Sequence, residues 1–596
     1  MSLIVQKFGG TSVADAEKIR TAARRAIRAQ QAGNQVVMVV SAMGKNTDLL
    51  VDLAAQVCQG GGDAPAREMD MLLSTGEQVS VALMAMAVHD LGAKAVSLTG
   101  GQIGIHTDSS HTKARIRSIS TERVRKLLDA GNIVIACGFQ GIDDDWNITT
   151  LGRGGSDTSA VALAAVLGAS QCEIYTDVDG VFTTDPRLVA EARKMDRVSH
   201  DEMLELASLG AGVMHSRSIE FGKKFCVPIH VKNSAVFTDE PGTVISTESE
   251  CADRPVSGAA LTKDEARVTV RHIPDQPGTS QAIFSRLAAK NVTVDMIVQN
   301  LGAGGTADIS FTVPESDLKR AMEALREATA ELGGGDVSYD EDVAKISIVG
   351  LGMATQSGVA DRMFRSLAEM GINIIAITTS DIKVSVLVER ARMTDALRAV
   401  HREFELDKPP HERATFGEPT TPGKQADAVD VVAKLQHMED LTIHGVALDT
   451  EQARVSISNV TDVPGIAAEV FEAVASQGVL VDMIVQSVGE DGRTNLSFTV
   501  PQNDLAKAGK IIQELIDRVG GEMTTCDKIA ILTVTGVGIR SHTGVGTRMF
   551  QALYDAGINV DMISTSEVRV NVVVDGPQGE TGLAALKQVF ADVIER

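Results

Sequence analysis

Through roughly the first 245 residues, short apolar runs alternate with longer stretches in which Ala, Leu and Glu recur at helical spacing. Leu3-Ile-Val-Gln-Lys-Phe8, Gln35-Val-Val-Met-Val-Val-Ser41, Ala93-Lys-Ala-Val-Ser-Leu98, Asn132-Ile-Val-Ile-Ala-Cys137 and Cys172-Glu-Ile-Tyr-Thr176 predict strands. Residues 14–30, 78–90 and 158–167 predict helices. Strands this apolar belong in a sheet covered on both faces, so the pattern implies an α/β domain with helices on both sides of a largely parallel sheet. A polar stretch from Thr247 to Pro255 ends it and reads as a linker.

Beyond the linker the chain repeats itself. Val294-Asp-Met-Ile-Val-Gln299 returns 187 positions later as Val481-Asp-Met-Ile-Val-Gln486, and Ser310-Phe-Thr-Val-Pro314 returns at the same offset as Ser497-Phe-Thr-Val-Pro501. Gly371-Ile-Asn373 returns as Gly557-Ile-Asn559, 186 positions on. Each copy holds two units of the order strand, helix, strand, strand, helix, strand, which is ferredoxin-like. The predicted organisation is an α/β domain over 1–248, modules over 264–342 and 343–406, a connector over 407–440, and modules over 441–526 and 527–596. Gly350-Leu-Gly352 and Gly536-Val-Gly538 sit at equivalent places in the repeat, so they read as a shared turn and not as a dinucleotide fingerprint.

Composition narrows the function classes. With 44% hydrophobic and 23% charged residues the 596-residue chain is of ordinary globular type, while 3% aromatics leaves little for stacking on bases. A formal charge of −23 argues against nucleic acid or an anionic membrane as partner. Six scattered cysteines, none in a Cys-x2-Cys pair, fit reduced thiols and cytoplasmic residence. Neither a leader-like start nor a run of about 18 apolar residues is seen, so secretion and membrane insertion are disfavoured.

Two segments carry candidate chemistry. Thr150-Leu-Gly-Arg-Gly-Gly-Ser-Asp157 joins glycines that expose backbone N–H groups to one guanidinium and one carboxylate, just before a helix. Arg153 is suited to fork onto a carboxylate, and Asp157 to face an ammonium or cap the helix. Lys7-Phe-Gly-Gly-Thr11 places a lysine and two glycines at a strand end before a helix, a phosphate-site arrangement that is not a Walker loop.

Together with Ser41-Ala-Met-Gly44, Thr47, Ser74-Thr-Gly-Glu77 and Thr176-Asp-Val-Asp-Gly-Val-Phe-Thr-Thr-Asp-Pro-Arg187, these segments resemble the aspartate kinases of the amino-acid kinase superfamily, and the repeated modules resemble ACT domains. The resemblance implies transfer of the ATP γ-phosphoryl group to the side-chain carboxylate of L-aspartate, the first step toward lysine, threonine and methionine. It makes Lys7 and Asp157 catalytic, with Lys7, Gly9 and Gly10 at the transferring phosphate. Arg153 would hold the α-carboxylate, within a loop that includes Gly154 and Gly155. Glu77 and Asp157 would face the ammonium, and Ser41, Thr47 and Ser156 would offer hydroxyls. Thr176, Asp177, Phe182 and Arg187 would contact the nucleotide. Mg²⁺ would bridge nucleotide oxygens without a dedicated protein cage. The chain departs from the family at Gly212, where many relatives carry a nucleotide-contacting Lys, and at Phe182, where Tyr is frequent. Lys223 or Lys224 would be the substitute cation.

The turns at Asp275-Gln-Pro-Gly278 and Asp462-Val-Pro-Gly465 precede helices, whose N–H groups suit a carboxylate. By the same resemblance Ser280, Gln299, Ala467 and Gln486 belong with these turns, and Asn373, Ile374, Asn559 and Val560 lie where a partner module would close the pocket. These are the expected effector sites for lysine, threonine or both, in a chain expected to form a homodimer. The rival readings are a superfamily kinase acting on a glutamate-like or carbamate substrate, and an amino-acid sensor on an inactive kinase scaffold. A fused dehydrogenase is not expected, since no further block follows the fourth module.

Overall fold

A computed structural model describes residues 2–58, 64–210, 212–238, 240–250, 254–301, 306–354, 356, 358–410, 439, 441–488, 492–539 and 544–594. Most of the expected connector, 411–438 and 440, and Cys251 lie outside the described residues. The chain divides into two compact units. Residues up to Phe182 together with Lys194–Glu250 form most of the first, and Thr183–Arg193, Cys251–Glu412 and Leu441–Arg596 form the second.

The first unit is built on an eight-stranded sheet whose centre is Gln171–Thr176, Leu3–Phe8, Gln35–Val40 and Ile133–Cys137, all parallel. Only Ile229–Asn233 and Thr243–Ser246 pair antiparallel. Every residue of Ile133–Cys137 is buried, as expected of a strand apolar at each position. On one face Phe8 stacks on Tyr175 with ring centroids 4.7 Å apart. The Gly155–Leu167 helix is buried on nearly every side, which explains its lack of a polar face.

The Ala66–Asp90 helix is long and apolar enough, by length and composition, to cross a membrane, and half of its most apolar 18-residue stretch is buried within the protein. It carries Asp70 and Glu77 inward, at 0% and 3% exposure. A second, four-stranded sheet of Ile105–Thr107, Ile116–Ile119, Gln140–Ile142 and Ile148–Thr150 delivers the chain to the Arg153 loop.

In the second unit the expected module order is present: Glu265–Pro274, Thr279–Ala289, Asp295–Leu301, Thr306–Pro314, Leu318–Leu332 and Asp336–Asp340 give βαββαβ. The second module begins at Val343–Val349 and takes an extra strand from ahead of the first, Gly258–Thr262, which pairs antiparallel with it. Thr442–Asp449 does the same for Ile529–Val537 in the fourth.

The modules associate crosswise. Ala376–Ser380 of the second pairs antiparallel with Ile484–Val488 of the third, making one eight-stranded sheet. Phe284 of the first stacks on Phe550 of the fourth at 5.3 Å, and Gln281 bonds Gln551 at 2.8 Å. Between the first and second modules Lys345, fully buried, pairs with Glu265 at 2.8 Å and Asp295 at 2.7 Å.

Candidate active site and effector clefts

The candidate residues of the first unit gather at the carboxyl ends of its parallel strands, where open α/β sheets bind ligands. Lys7, near the end of Leu3–Phe8, places Nζ 2.5 Å from Oδ1 of Asp157, and both side chains are largely buried. Asp157 lies in the first turn of the Gly155–Leu167 helix and does not cap it; the N-cap is Gly154. A side chain on Gly10 would sit 2.8 Å from the Ala42 carbonyl oxygen, so glycine is what lets the two strand-end loops meet.

The Ala42 N–H donates to Oε1 of Glu77 at 3.1 Å, while Oε2 of Glu77 is buried without a hydrogen-bond partner. Burial pushes the Glu77 carboxyl up to about 7, against the pull of the Ala42 bond. Glu77 does not begin a helix, as the sequence suggested; it lies in the middle of Ala66–Asp90. Ser156 packs against Gly138, where a side chain would come within 2.7 Å of its hydroxyl oxygen. Ser41 and Thr47 are half-buried, Ser41 just beyond the Gln35–Val40 strand and Thr47 in the Asn46–Val57 helix.

Arg153 is exposed, between Gly152 and Gly154 in left-handed conformations at φ 77° and 69°. A side chain at Gly154 would meet Cβ of His215 at 2.2 Å, so the loop is pressed against that imidazole. Desolvation, then Arg217, lowers the His215 pKa. The sequence reading did not single out His215. Its position three residues beyond Gly212, where the chain departs from the family, was the available signal.

Among the expected nucleotide residues, Thr176 ends its strand and donates to Asp177 at 3.1 Å. Phe182 forms a bridge with Lys194. Arg187 forks onto Asp185 at 2.7 to 3.1 Å and its side chain is 87% exposed, in a segment grouped with the second unit. A carboxylate two residues away captures the guanidinium. Gly212 takes φ 58°, a backbone that a lysine would adopt only under strain. Lys223 is paired with Asp201 at 2.5 Å, and Lys224 lies 6.0 Å from the Phe225 ring centroid.

In the second unit the expected effector residues fall into two groups, each spanning two modules. Asn559 donates to Asp275 at 2.8 Å, Ser280 to Gln299 at 3.1 Å, and Gln299 to the Val560 carbonyl at 2.6 Å. Likewise Asn373 donates to Asp462 at 3.0 Å and Gln486 to the Ile374 carbonyl at 3.2 Å. Gly278 and Gly465 cap their helices at φ 98° and 103°, and Ala467 is buried in the turn that follows Gly465.

Two further clefts occupy the counterpart positions and were not anticipated. One is lined by Phe284, Asp295, Thr565 and Ser566, the other by Phe471, Asp482, Thr379 and Ser380. The repeat offsets of 187 and 186 relate them residue by residue, which was the missed signal. They differ in chemistry. Asp295 is matched by Lys345 and Ser566 accepts from the Arg569 N–H, whereas Asp361, Ser380 and Gln452 each leave a buried side-chain oxygen without a partner in the second cleft.

A parallel sheet bearing this strand-end cluster, followed by four ferredoxin-like modules, defines an amino-acid kinase fused to ACT regulatory domains. The amino acid kinase family model matches residues 2–233, and the ACT domain model matches 268–329, 346–404, 455–515 and 532–590. An aspartate kinase of Stutzerimonas stutzeri is 49% identical over 411 residues, covering 69% of this chain and 98% of that protein. The crystal structure of aspartate kinase from Synechocystis is 38% identical, covers 99% of this chain and 98% of that one, and superposes with a TM-score of 0.51. The fold is also shared with E. coli aspartokinase III in complex with aspartate and ADP, at 23% identity and a TM-score of 0.58, over 68% of this chain and 100% of that one. The chain belongs to the aspartate kinase family.

Proposed function

We propose that this aspartate kinase transfers the γ-phosphoryl group of ATP to the side-chain carboxylate of L-aspartate, giving 4-phospho-L-aspartate at the head of lysine, threonine and methionine synthesis. The observation that carries this reading is the buried, half-satisfied Glu77 carboxylate beside the strand-end loops near Lys7 and Asp157. An α-ammonium would supply the missing partner at Glu77, and Arg153, free at the loop tip, would fork onto the α-carboxylate. Gripped at both charged ends, the substrate has one carboxylate left to receive phosphorus.

Phosphoryl transfer asks mainly for alignment and charge neutralisation. Lys7 would neutralise charge on the transferring group, with Asp157 holding its ammonium in place until then. Gly9 and Gly10, the latter where loops approach too closely for a side chain, would offer backbone N–H groups, and Thr176 and Asp177 would border the nucleotide. Mg²⁺ would come with the nucleotide and be held mainly by phosphate oxygens and water, since phosphate-bound Mg²⁺ needs few protein ligands. The free cysteines of the described residues fit a cytoplasmic enzyme.

The cross-module groups at Asp275 and Asp462 and the acceptor-rich cleft at Ser380 support regulation by lysine, threonine or both; the chain would work as a homodimer. The test is ADP release with L-aspartate, with L-glutamate and with no acceptor, each with and without lysine and threonine. Release that depends on aspartate and falls with an effector supports the reading. Stimulation by glutamate alone would replace the substrate, and release independent of acceptor would end the proposal.

A further inference from the structure

Asp70 is fully buried on the Ala66–Asp90 helix, seven residues before Glu77. Seven residues are two turns, so the two carboxylates lie on one face of one helix. Every donor around Asp70 belongs to the walls of the Arg153 loop. Oδ1 accepts from the Thr150 hydroxyl at 2.5 Å and the Thr112 N–H at 3.0 Å; Oδ2 accepts from His111 Nδ1 at 2.7 Å and the same N–H at 3.1 Å.

Thr150 is the last strand residue before Leu151-Gly-Arg153. Its carbonyl accepts from the Ala114 N–H at 2.9 Å, and the Leu151 N–H donates to Phe139 at 2.9 Å. Arg217 holds the Leu151 carbonyl and, at 3.0 Å, that of Ala114. A side chain on Gly152 would stand 3.0 Å from the Thr112 carbonyl oxygen. The base of the loop is therefore fixed while its guanidinium stays exposed.

The geometry points to Asp70 as a positioning residue for the aspartate site. Through Thr150 it ties the Arg153 loop to the helix that carries Glu77, so the grips on the two charged ends of the substrate are spaced by one rigid element. This rests on the roles proposed for Arg153 and Glu77. A displacement of about 1 Å in such a grip can cost on the order of 100-fold in turnover.

The test uses the full chain with Asp70→Asn, Thr150→Val, Thr150→Ser and Arg153→Ala, measuring KM for L-aspartate, KM for ATP, kcat and thermal melting. Asp70→Asn and Thr150→Val should raise KM for aspartate ~10-fold or more and leave KM for ATP within about twofold, while Thr150→Ser, which restores the hydroxyl, stays near the parent. A folded Asp70→Asn or Thr150→Val enzyme with parental KM for aspartate overturns the assignment, as does an equal rise in both KM values. Should Asp70→Asn fail to fold, Thr150→Val decides alone. If Arg153→Ala leaves KM for aspartate unchanged, the proposed site falls and this role with it; if only Arg153→Ala raises it, the role of Asp70 alone is lost.

Discussion

Lys7 Nζ lies 2.5 Å from Asp157 Oδ1, joining the end of the central strand to the first turn of the Gly155–Leu167 helix. Both side chains are mostly out of water, so removing one leaves an uncompensated charge. Lys7→Ala should cost ~3 kcal/mol of stability, and Lys7→Met, with a similar volume, should retain more of it. Both should lower kcat by on the order of 100-fold or more, read by ADP release alongside urea unfolding. Normal kcat in a folded Lys7→Met enzyme would remove this lysine from the reaction.

Glu77 keeps its proton to higher pH in the folded chain than in the unfolded one. The cost of its burial is absent below the ordinary value of 4.5 and fully present above about 7, so this group's contribution to stability declines as pH rises between them. Glu77→Gln should match the parent in acid and exceed it near pH 8 by up to ~3 kcal/mol, measured by urea unfolding. In the parent, KM for aspartate should fall as pH rises through about 7, because only the carboxylate attracts the ammonium. Glu77→Gln should raise that KM and flatten its pH dependence.

Arg153 is exposed, so Arg153→Ala should leave the melting temperature near that of the parent. Loss of the carboxylate fork should cost ~2–5 kcal/mol in kcat/KM for aspartate. Arg153→Lys should recover only part, since an ammonium lacks the two-pronged geometry.

Gly154 and Gly168 both adopt left-handed backbone, at φ 69° and 64°, but a side chain at 154 strikes His215 whereas one at 168 meets open space. Gly168→Ala should cost ~1 kcal/mol from backbone conformation alone. Gly154→Ala adds the steric clash, so it should be clearly the more destabilising and should also depress activity. Equal melting temperatures for the two variants would contradict the packing described.

In the second unit, Ser380→Ala and Asp462→Ala should raise the half-inhibitory concentration of the effector without changing uninhibited kcat. Dose-response curves with lysine and threonine, separately and together, check this. An unaltered response in both variants would place the sensor elsewhere.

Much of this was legible because all-apolar strands and exact internal repeats are strong signals. The Lys7, Arg153 and Asp157 segments could be read as one site only because five motifs in one order resemble a known family; each alone also fits an ordinary turn or helix start. The helix expected over 78–90 begins earlier, at Ala66, and Gly76 lies inside it where a side chain would meet Cβ of Ala42 at 2.9 Å. For Arg187 the motif gives the residue, while its pairing with the neighbouring Asp185 is seen only in the structure. Repeats show that modules are alike and carry no information on which of them associate, so the crosswise pairing could not be read from them.

That pairing makes each sensor interface from two separate stretches of one chain. In a two-fold homodimer any substitution alters the contact twice, once from each side; here it is felt on one side only. Lys345, which neutralises two carboxylates in the first copy, is Ile531 in the second, buried among Met483, Val485 and Met562. The seam between the first two modules thus holds a charge cluster where the seam between the last two packs an isoleucine, so the two sensors of a single polypeptide rest on differently built joints.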